Sequence, residues 1–205
     1  LFATASAVAE AVSIPLTVDI ESSYSDDPKQ VADVVRAVID AGAVGINIED
    51  GGESPDVLCR KIEAARAAAQ ECGVDLFINA RTDVYFKSLA PTERRAAETL
   101  ARAERYRDAG ASGLFVPGIV DADEIAAIVR GTPLPVNVMA YPGLPSTDKL
   151  VSLGVRRFSA GAGIAKALHG AMYAIARRFL QTGELIDAGH APLTYAELNA
   201  LMARS

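Results

Sequence analysis

Two stretches decide the fold: Asp40-Ala-Gly-Ala-Val-Gly-Ile-Asn-Ile48 and Asp108-Ala-Gly-Ala-Ser-Gly-Leu-Phe-Val116. They are near copies of one junction. An Ala-rich amphipathic helix ends, a glycine stands where a helix C-terminus needs a left-handed backbone, and a short apolar run follows at once. Ser152-Leu-Gly-Val-Arg-Arg-Phe158 is a weaker third copy. Working outward, the same pattern predicts six strands, at 16–20, 45–49, 76–81, 113–117, 135–140 and 155–159. Helices are expected between them, for example over 28–41, 55–72 and 92–109, with another over 1–12. Alternating strands and helices imply a parallel sheet covered by helices. No strand opens into a G-x-G-x-x-G turn, and the repeat of about thirty residues is that of a (β/α)₈ barrel rather than a doubly wound sheet. Eight strands close such a barrel. Because the chain opens in a helix leading straight into a strand, the first two βα units are expected to lie outside these residues. The expected organisation is one barrel domain over 1–205, with a helical extension over about 162–205 that packs on a neighbouring subunit. It includes a long helix, a polar turn around Asp187-Ala-Gly-His190, and a last helix capped by Thr194 with Glu197 three residues on.

The bulk numbers agree with a soluble globular domain. Of 205 residues, 50% are hydrophobic and 22% charged, and the formal net charge is −6. An acidic chain argues against nucleic-acid binding, which wants a basic face. Cys59 and Cys72 are the only cysteines, so a disulfide framework is not expected and a cytoplasmic setting is the default. The apolar first twenty residues lack a basic leader and contain Glu10 and Asp19, which does not fit a signal peptide. No stretch reaches the roughly 18 apolar residues of a membrane span.

Strand alternation locates the chemistry. Leu16, Val18 and Ile20 share one face of the first strand, and Thr17, Asp19 and Glu21 the other. In the second, Ile46 and Ile48 point out, and Asn47 and Glu49 point in. In the third, Leu76, Ile78 and Ala80 point out, and Phe77, Asn79 and Arg81 point in. Asn137 sits between Val136 and Val138. Four strands therefore aim polar groups into one space, with the charged ones at the C-terminal ends, where barrel active sites lie. One alternative is an internal ion-pair network of Arg81 with Asp19 or Glu49. Three acids against one arginine favour a bound cation instead, and carboxylates without His or Cys suit hard Mg²⁺, with Mn²⁺ as a substitute. Asp19 is expected to touch the metal, with Glu21 and Glu49 holding its waters. Arg81 suits a substrate carboxylate, which its planar fork grips twice. Arg81 and Glu49 are the expected catalytic residues; Arg81, Asn79 and Asn137 are the expected substrate-binding set.

Other chemistries are set aside on position. Lys29, Lys61, Lys87, Lys149 and Lys166 do not end strands, which argues against a Schiff-base enzyme. His169 falls on a helix and His190 in a turn, and Cys59 sits at an apolar helical spacing suited to core packing. The Ser159-Ala-Gly-Ala-Gly-Ile164 run either cradles a phosphate or lets helices pack closely.

Thr17-Val-Asp-Ile-Glu-Ser-Ser-Tyr24, Gly45-Ile-Asn-Ile-Glu-Asp-Gly51, Phe77-Ile-Asn-Ala-Arg-Thr-Asp83 and Leu114-Phe-Val-Pro-Gly118, in that order, resemble the isocitrate lyase/phosphoenolpyruvate mutase superfamily. The resemblance spans essentially the whole chain, and Ile-Glu-Asp and Asn-Ala-Arg-Thr-Asp are its most specific parts. It implies a Mg²⁺-binding (β/α)₈ barrel, usually a dimer of dimers exchanging a terminal helix. It also implies cleavage or formation of C–C or P–C bonds beside a carboxylate, through a Mg²⁺-stabilised enolate of a pyruvate-like unit. By motif match Asp19 would be the direct ligand, Glu21 and Glu49 outer ligands, and Arg81 the clamp. The family's lyases carry a Lys-Lys-Cys-Gly-His loop whose Cys is an acid/base. Here that region reads Glu49-Asp-Gly-Gly-Glu-Ser-Pro-Asp-Val-Leu-Cys59, and the role does not transfer to Cys59. The expected activity is a Mg²⁺-dependent C–C lyase or decarboxylase of a small 2-oxo or 2-hydroxy acid. The alternatives are a phosphonopyruvate-type P–C enzyme and a catalytically reduced carboxylate binder.

Overall fold

The computed structural model describes residues 1–185 and 192–203. Two compact units divide the chain, Leu1–Ser159 and Ala160–Ser205. In the first, α1 (Phe2–Ala11) precedes β1 (Thr17–Asp19), α2 (Pro28–Asp40), β2 (Gly45–Glu49), α3 (Pro55–Glu71), β3 (Phe77–Arg81), α4 (Arg95–Asp108), β4 (Gly113–Val116), α5 (Ala122–Gly131), β5 (Val136–Met139), α6 (Thr147–Ser152) and β6 (Arg157–Ser159). All strand pairs are parallel, in the order β1-β2-β3-β4-β5-β6.

Local chemistry sets the helix boundaries. Asp27, Ser54 and Asp121 cap α2, α3 and α5 with side-chain oxygens, and proline fills the first helical position of α2 and α3, where its missing N–H costs nothing. Gly42 and Gly110 follow α2 and α4 with φ of +93° and +106°, a region other residues enter at a cost. On α2, Val31, Val35 and Val38 form a fully buried stripe. It packs with the outward strand residues Ile46, Ile48, Ile78 and Ala80 in one core cluster. A second cluster gathers Leu114, Val116, Val136 and Val138 with Ile125 and Ile128 of α5.

The sheet is curled. Arg157 on β6 donates from Nη2 to Thr17 Oγ1 on β1 at 3.0 Å, although these strands stand at opposite ends of the sheet order. Inward glycines give the concave face its room. A Cβ on Gly113 would lie 2.8 Å from Phe77 Cζ and 2.9 Å from Asn79 Oδ1. The architecture is therefore a half-barrel: a curled, all-parallel sheet of six strands.

The strands are shorter than alternation predicts, and β1 matters most. It ends at Asp19, although Ile20 N–H still donates to Asn47 O at 3.0 Å. Glu21 then turns out of line with φ +52°, and Ser23 and Tyr24 are also left-handed. Glu21 consequently does not point inward as a strand residue; it is an exposed turn residue beyond the strand end.

In the second unit, α7 (Gly163–Thr182) and α8 (Tyr195–Met202) are exposed helices. The Thr194–Glu197 capping box forms as expected. The turn expected around Asp187 to His190 lies outside the described residues. His169 is exposed on α7, its Nδ1 2.8 Å from Ala165 O. Among the described residues no helix is long and apolar enough to cross a membrane.

Candidate active site

Parallel register draws the functional side chains into one line. Glu49 on β2 lies opposite Arg81 on β3, Arg81 opposite Phe115 on β4, Phe115 opposite Asn137 on β5, and Asn137 opposite Arg157 on β6. A second line joins Asp19, Asn47, Asn79 and Gly113. Parity fixes which residues face the interior, and parallel pairing fixes which of them meet.

Arg81 is the centre. Its Nη1 forms an ion pair with Glu49 Oε2 at 2.8 Å, and its Nε donates to Asp83 Oδ1 at 2.7 Å. The guanidinium carbon stands 5.4 Å from the Phe86 ring centre and 5.9 Å from that of Phe115, a cation–π setting. Tyr141 meets Phe86 edge-on at 6.5 Å. The Arg81–Glu49 ion pair, which strand alternation left only as the alternative to a bound cation, is thus present, and Asp83 joins it.

The acids divide into two groups. Glu49, Asp50 and Asp83 are each paired with Arg81, Arg102 or Lys87, and Glu98 shares Arg102. Asp19 and Glu21 stand outside this balance, both exposed. Asp19 is oriented by a rail of amides: Asn79 Nδ2 donates to Asn47 Oδ1 at 2.9 Å, and Asn47 Nδ2 to Asp19 Oδ2 at 3.3 Å. Its other oxygen accepts Glu21 N–H at 2.9 Å. Burial pushes the Glu49 carboxyl above its usual value; Arg81 and Lys87 oppose this, while Asp83 and Asp19 add to it. Burial raises the Tyr24 hydroxyl pKa, and the charges of Glu21 and Asp19 add to the shift. Asn79 and Asn137 are each 1% exposed. Asn79 Oδ1 and both amide atoms of Asn137 lack hydrogen-bond partners, an arrangement that costs free energy until something fills it.

Several residues escape strand alternation because they lie beyond the strands. Asp50 and Asp83 follow β2 and β3 by one and two residues. Arg102 and Tyr106 reach Asp50 from α4. Arg102 and Tyr106 stand four positions apart on α4, one nearly and one fully buried, and no local sequence pattern ties them to Asp50. Lys61, 3% exposed on α3, donates to Ser22 O at 2.8 Å and pairs with Asp26 at 2.7 Å, pinning the β1–α2 loop. Lys87 donates to Gly51 O at 2.7 Å, tying the loop after β3 to the one after β2. Between them opens a cleft of about 330 Å³ lined in part by Ser22, Glu49, Gly51 and the two lysines. Cys59 packs partly buried against the core, and burial raises its thiol pKa, as suits a packing role.

Carboxylates and a guanidinium gathered at the C-terminal strand ends of a curled parallel sheet stand where the active sites of barrel-type enzymes lie. The family described as phosphoenolpyruvate phosphomutase matches residues 1–180. An uncharacterized protein of Mycobacterium tuberculosis is 39% identical over 196 residues, covering 90% of this chain and 67% of the relative. Oxaloacetate decarboxylase of Pseudomonas fluorescens is 30% identical over 182 residues, covering 83% of this chain and 58% of its own length. A structure from Burkholderia cenocepacia, provisionally called a phosphonomutase, is 40% identical with a TM-score of 0.80, covering 86% and 74% of the two chains. The chain belongs to the phosphoenolpyruvate phosphomutase family, within the isocitrate lyase/phosphoenolpyruvate mutase superfamily that its motifs resemble. That family of lyases and mutases also includes 2-methylisocitrate lyase and phosphonopyruvate hydrolase.

Proposed function

We propose that this half-barrel carries the active site of a Mg²⁺-dependent C–C lyase or decarboxylase acting on a small 2-oxo or 2-hydroxy carboxylic acid through an enolate. The carrying observation is Arg81, held at the strand ends between Glu49 and Asp83. Its Nε and one Nη are committed to protein carboxylates, which leaves the outer edge of the fork for a substrate carboxylate. Asn79 and Asn137 offer unpaired amide atoms on the same concave face.

The donor set fits magnesium. It is all oxygen, and among the described residues no three His, Cys, Asp or Glu converge to surround an ion. An all-oxygen set suits an ion which keeps several waters and needs one or two carboxylates, and Asp19 is an exposed carboxylate oriented for that role. Asp19 would hold it directly, with Glu21 and Glu49 receiving its waters; Mn²⁺ would substitute. When bound, the metal supplies Lewis-acid stabilisation of the developing enolate charge. Arg81 neutralises the carboxylate end of the same charge. Glu49, held above its ordinary pKa, is poised to accept or return a proton near the reacting carbon.

The test is a steady-state assay on a panel of 2-oxo and 2-hydroxy acids with Mg²⁺, reading pyruvate release. Asp19→Ala should abolish Mg²⁺-dependent turnover without unfolding the chain, since Asp19 is exposed; full activity in the variant would refute the assignment. The family's phosphomutase description favours a second reading, P–C bond chemistry on a phosphonopyruvate-type substrate; with phosphonopyruvate added to the panel, hydrolysis reads as phosphate plus pyruvate and isomerisation as phosphoenolpyruvate. A catalytically reduced binder, suggested by the short loop from Asp50 to Ser54 that Lys87 ties down, would bind oxalate yet turn over nothing. We further propose a homo-oligomer, a dimer of dimers, in the cytoplasm.

A further inference from the structure

We propose that Asp50 is a positioning residue for Arg81, acting through Asp83; the functional consequence rests on Arg81 being the carboxylate clamp. Asp50 is 3% exposed, and both its oxygens are taken by protein donors. Oδ1 accepts Asp83 N–H at 2.9 Å. Oδ2 accepts Arg102 Nη1 and Tyr106 OH, each at 2.8 Å. Arg102 is itself braced by Glu98 at 2.7 Å. Burial opposes the Arg102 charge, but hydrogen bonds to Glu98 and Asp50 outweigh it and raise its pKa.

The path from Asp50 to the clamp has two links. Asp50 fixes the backbone of Asp83 where the chain leaves β3, and Asp83, fully buried, aims Oδ1 at Arg81 Nε. The Nε bond sets the plane of the guanidinium, and that plane decides which N–H groups face the concave side. Arg81 is thus held by a lattice that begins on α4, the helix that follows β3. A buried carboxylate saturated by three donors is an expensive way to close a loop. Its effect is a guanidinium whose orientation is set before any ligand arrives.

Asp50→Asn isolates this function. An amide cannot accept on both sides: one orientation turns its NH₂ against Arg102 and Tyr106, the other against Asp83 N–H. In the intact protein with Mg²⁺, the variant should weaken oxalate binding about tenfold in a calorimetric titration. In an Arg81→Lys background the same change should weaken it less than about twofold, because residues acting through one another are not additive. The Arg81 Nε–H resonance, assigned by its loss in Arg81→Lys, should move and exchange faster in Asp50→Asn. Equal losses in the two backgrounds, or an unmoved Nε–H resonance, overturn the proposal. Should Asp50→Asn fail to fold, Tyr106→Phe removes one of the three donors and should shift the same resonance in the same direction; no shift overturns it. Wild-type protein that binds no oxalate would defeat the functional reading of Arg81 alone, and the resonance would still decide whether Asp50 positions it.

Discussion

Replacing Arg81 by lysine keeps the charge and removes the fork. In the native chain one guanidinium serves two carboxylates at once, Glu49 at 2.8 Å through Nη1 and Asp83 at 2.7 Å through Nε. A single ammonium on a linear stem cannot occupy both positions. Asp83 retains Lys87 at 3.2 Å from its other oxygen, so the greater loss falls on whichever acid the new ammonium leaves. A hydrogen bond to a charged group contributes about 1.5–3 kcal/mol. Arg81 and Glu49 are each 18% exposed in their side chains, so solvent screens only part of that. Losing one such contact should lower the melting temperature by at most roughly 3–12 °C, at about 2–4 °C per kcal/mol for a chain of this size. Oxalate binding, dependent on the free edge of the fork, should weaken by about 10- to 100-fold, or roughly 1.4–2.7 kcal/mol. Differential scanning calorimetry and a titration with oxalate in Mg²⁺ read the two effects separately. An unchanged melting temperature together with unchanged oxalate affinity would refute both the bridging geometry and the clamp.

Burial holds Glu49 above its ordinary pKa, so the folded state binds its proton more tightly than the unfolded chain. Its contribution to stability is therefore full below the unfolded value and declines as pH rises through the folded one. Mg²⁺, favouring the ionised form, should raise the melting temperature more at pH 7 than at pH 4.5, and Glu49→Gln should reduce that difference; equal shifts at both pH values argue against Glu49 facing the ion. Asn137→Leu removes two unpaired buried amide atoms and should stabilise the fold by about 1 kcal/mol while weakening oxalate binding, as thermal melts and titration would show. Gly113→Ala drives a Cβ to 2.8 Å from Phe77; overpacking of this kind costs about 1–3 kcal/mol, measurable by urea unfolding. Phe86→Ala strips one aromatic face from Arg81 and should raise the KM for a 2-oxo acid about two- to fivefold with little loss of fold, since an exposed cation–π contact contributes about 0.5–1 kcal/mol.

Much of the fold was legible because two periodicities are enforced by backbone geometry. Leu76, Ile78 and Ala80 had to share a face, and parallel pairing then set Asn79 beside Asn47 and Arg81 beside Glu49. Alternation holds only while the backbone stays extended, and Glu21 shows its limit. One residue past Ile20 the chain takes φ +52°, and parity no longer says where a side chain points. Asp50 and Asp83 were hidden for the same reason, although both stand inside motifs that mark the family. Their partners Arg102 and Tyr106 were hidden by distance, 52 and 56 residues along the chain, where no local pattern links a helix face to a loop.

The charge count was the subtler matter. Along the strands alone, Asp19, Glu21 and Glu49 face one arginine, which seems to require a cation for all three. With the loops in place, Glu49 is answered by Arg81, and Asp50 and Asp83 by Arg102 and Lys87 as well as Arg81. The unanswered negative charge is that of Asp19 and Glu21, on the exposed side of the amide rail. A cation there need not compensate a buried network; it has only to satisfy two solvated acids and ease the raised Glu49. The buried network can then hold Arg81 rigid whether or not metal is present. This division makes a sharp demand: removing Mg²⁺ should abolish turnover while leaving the Arg81 Nε–H bond to Asp83 intact. A resonance that appears only with the ion would mean that the metal, rather than Asp50, organises the clamp.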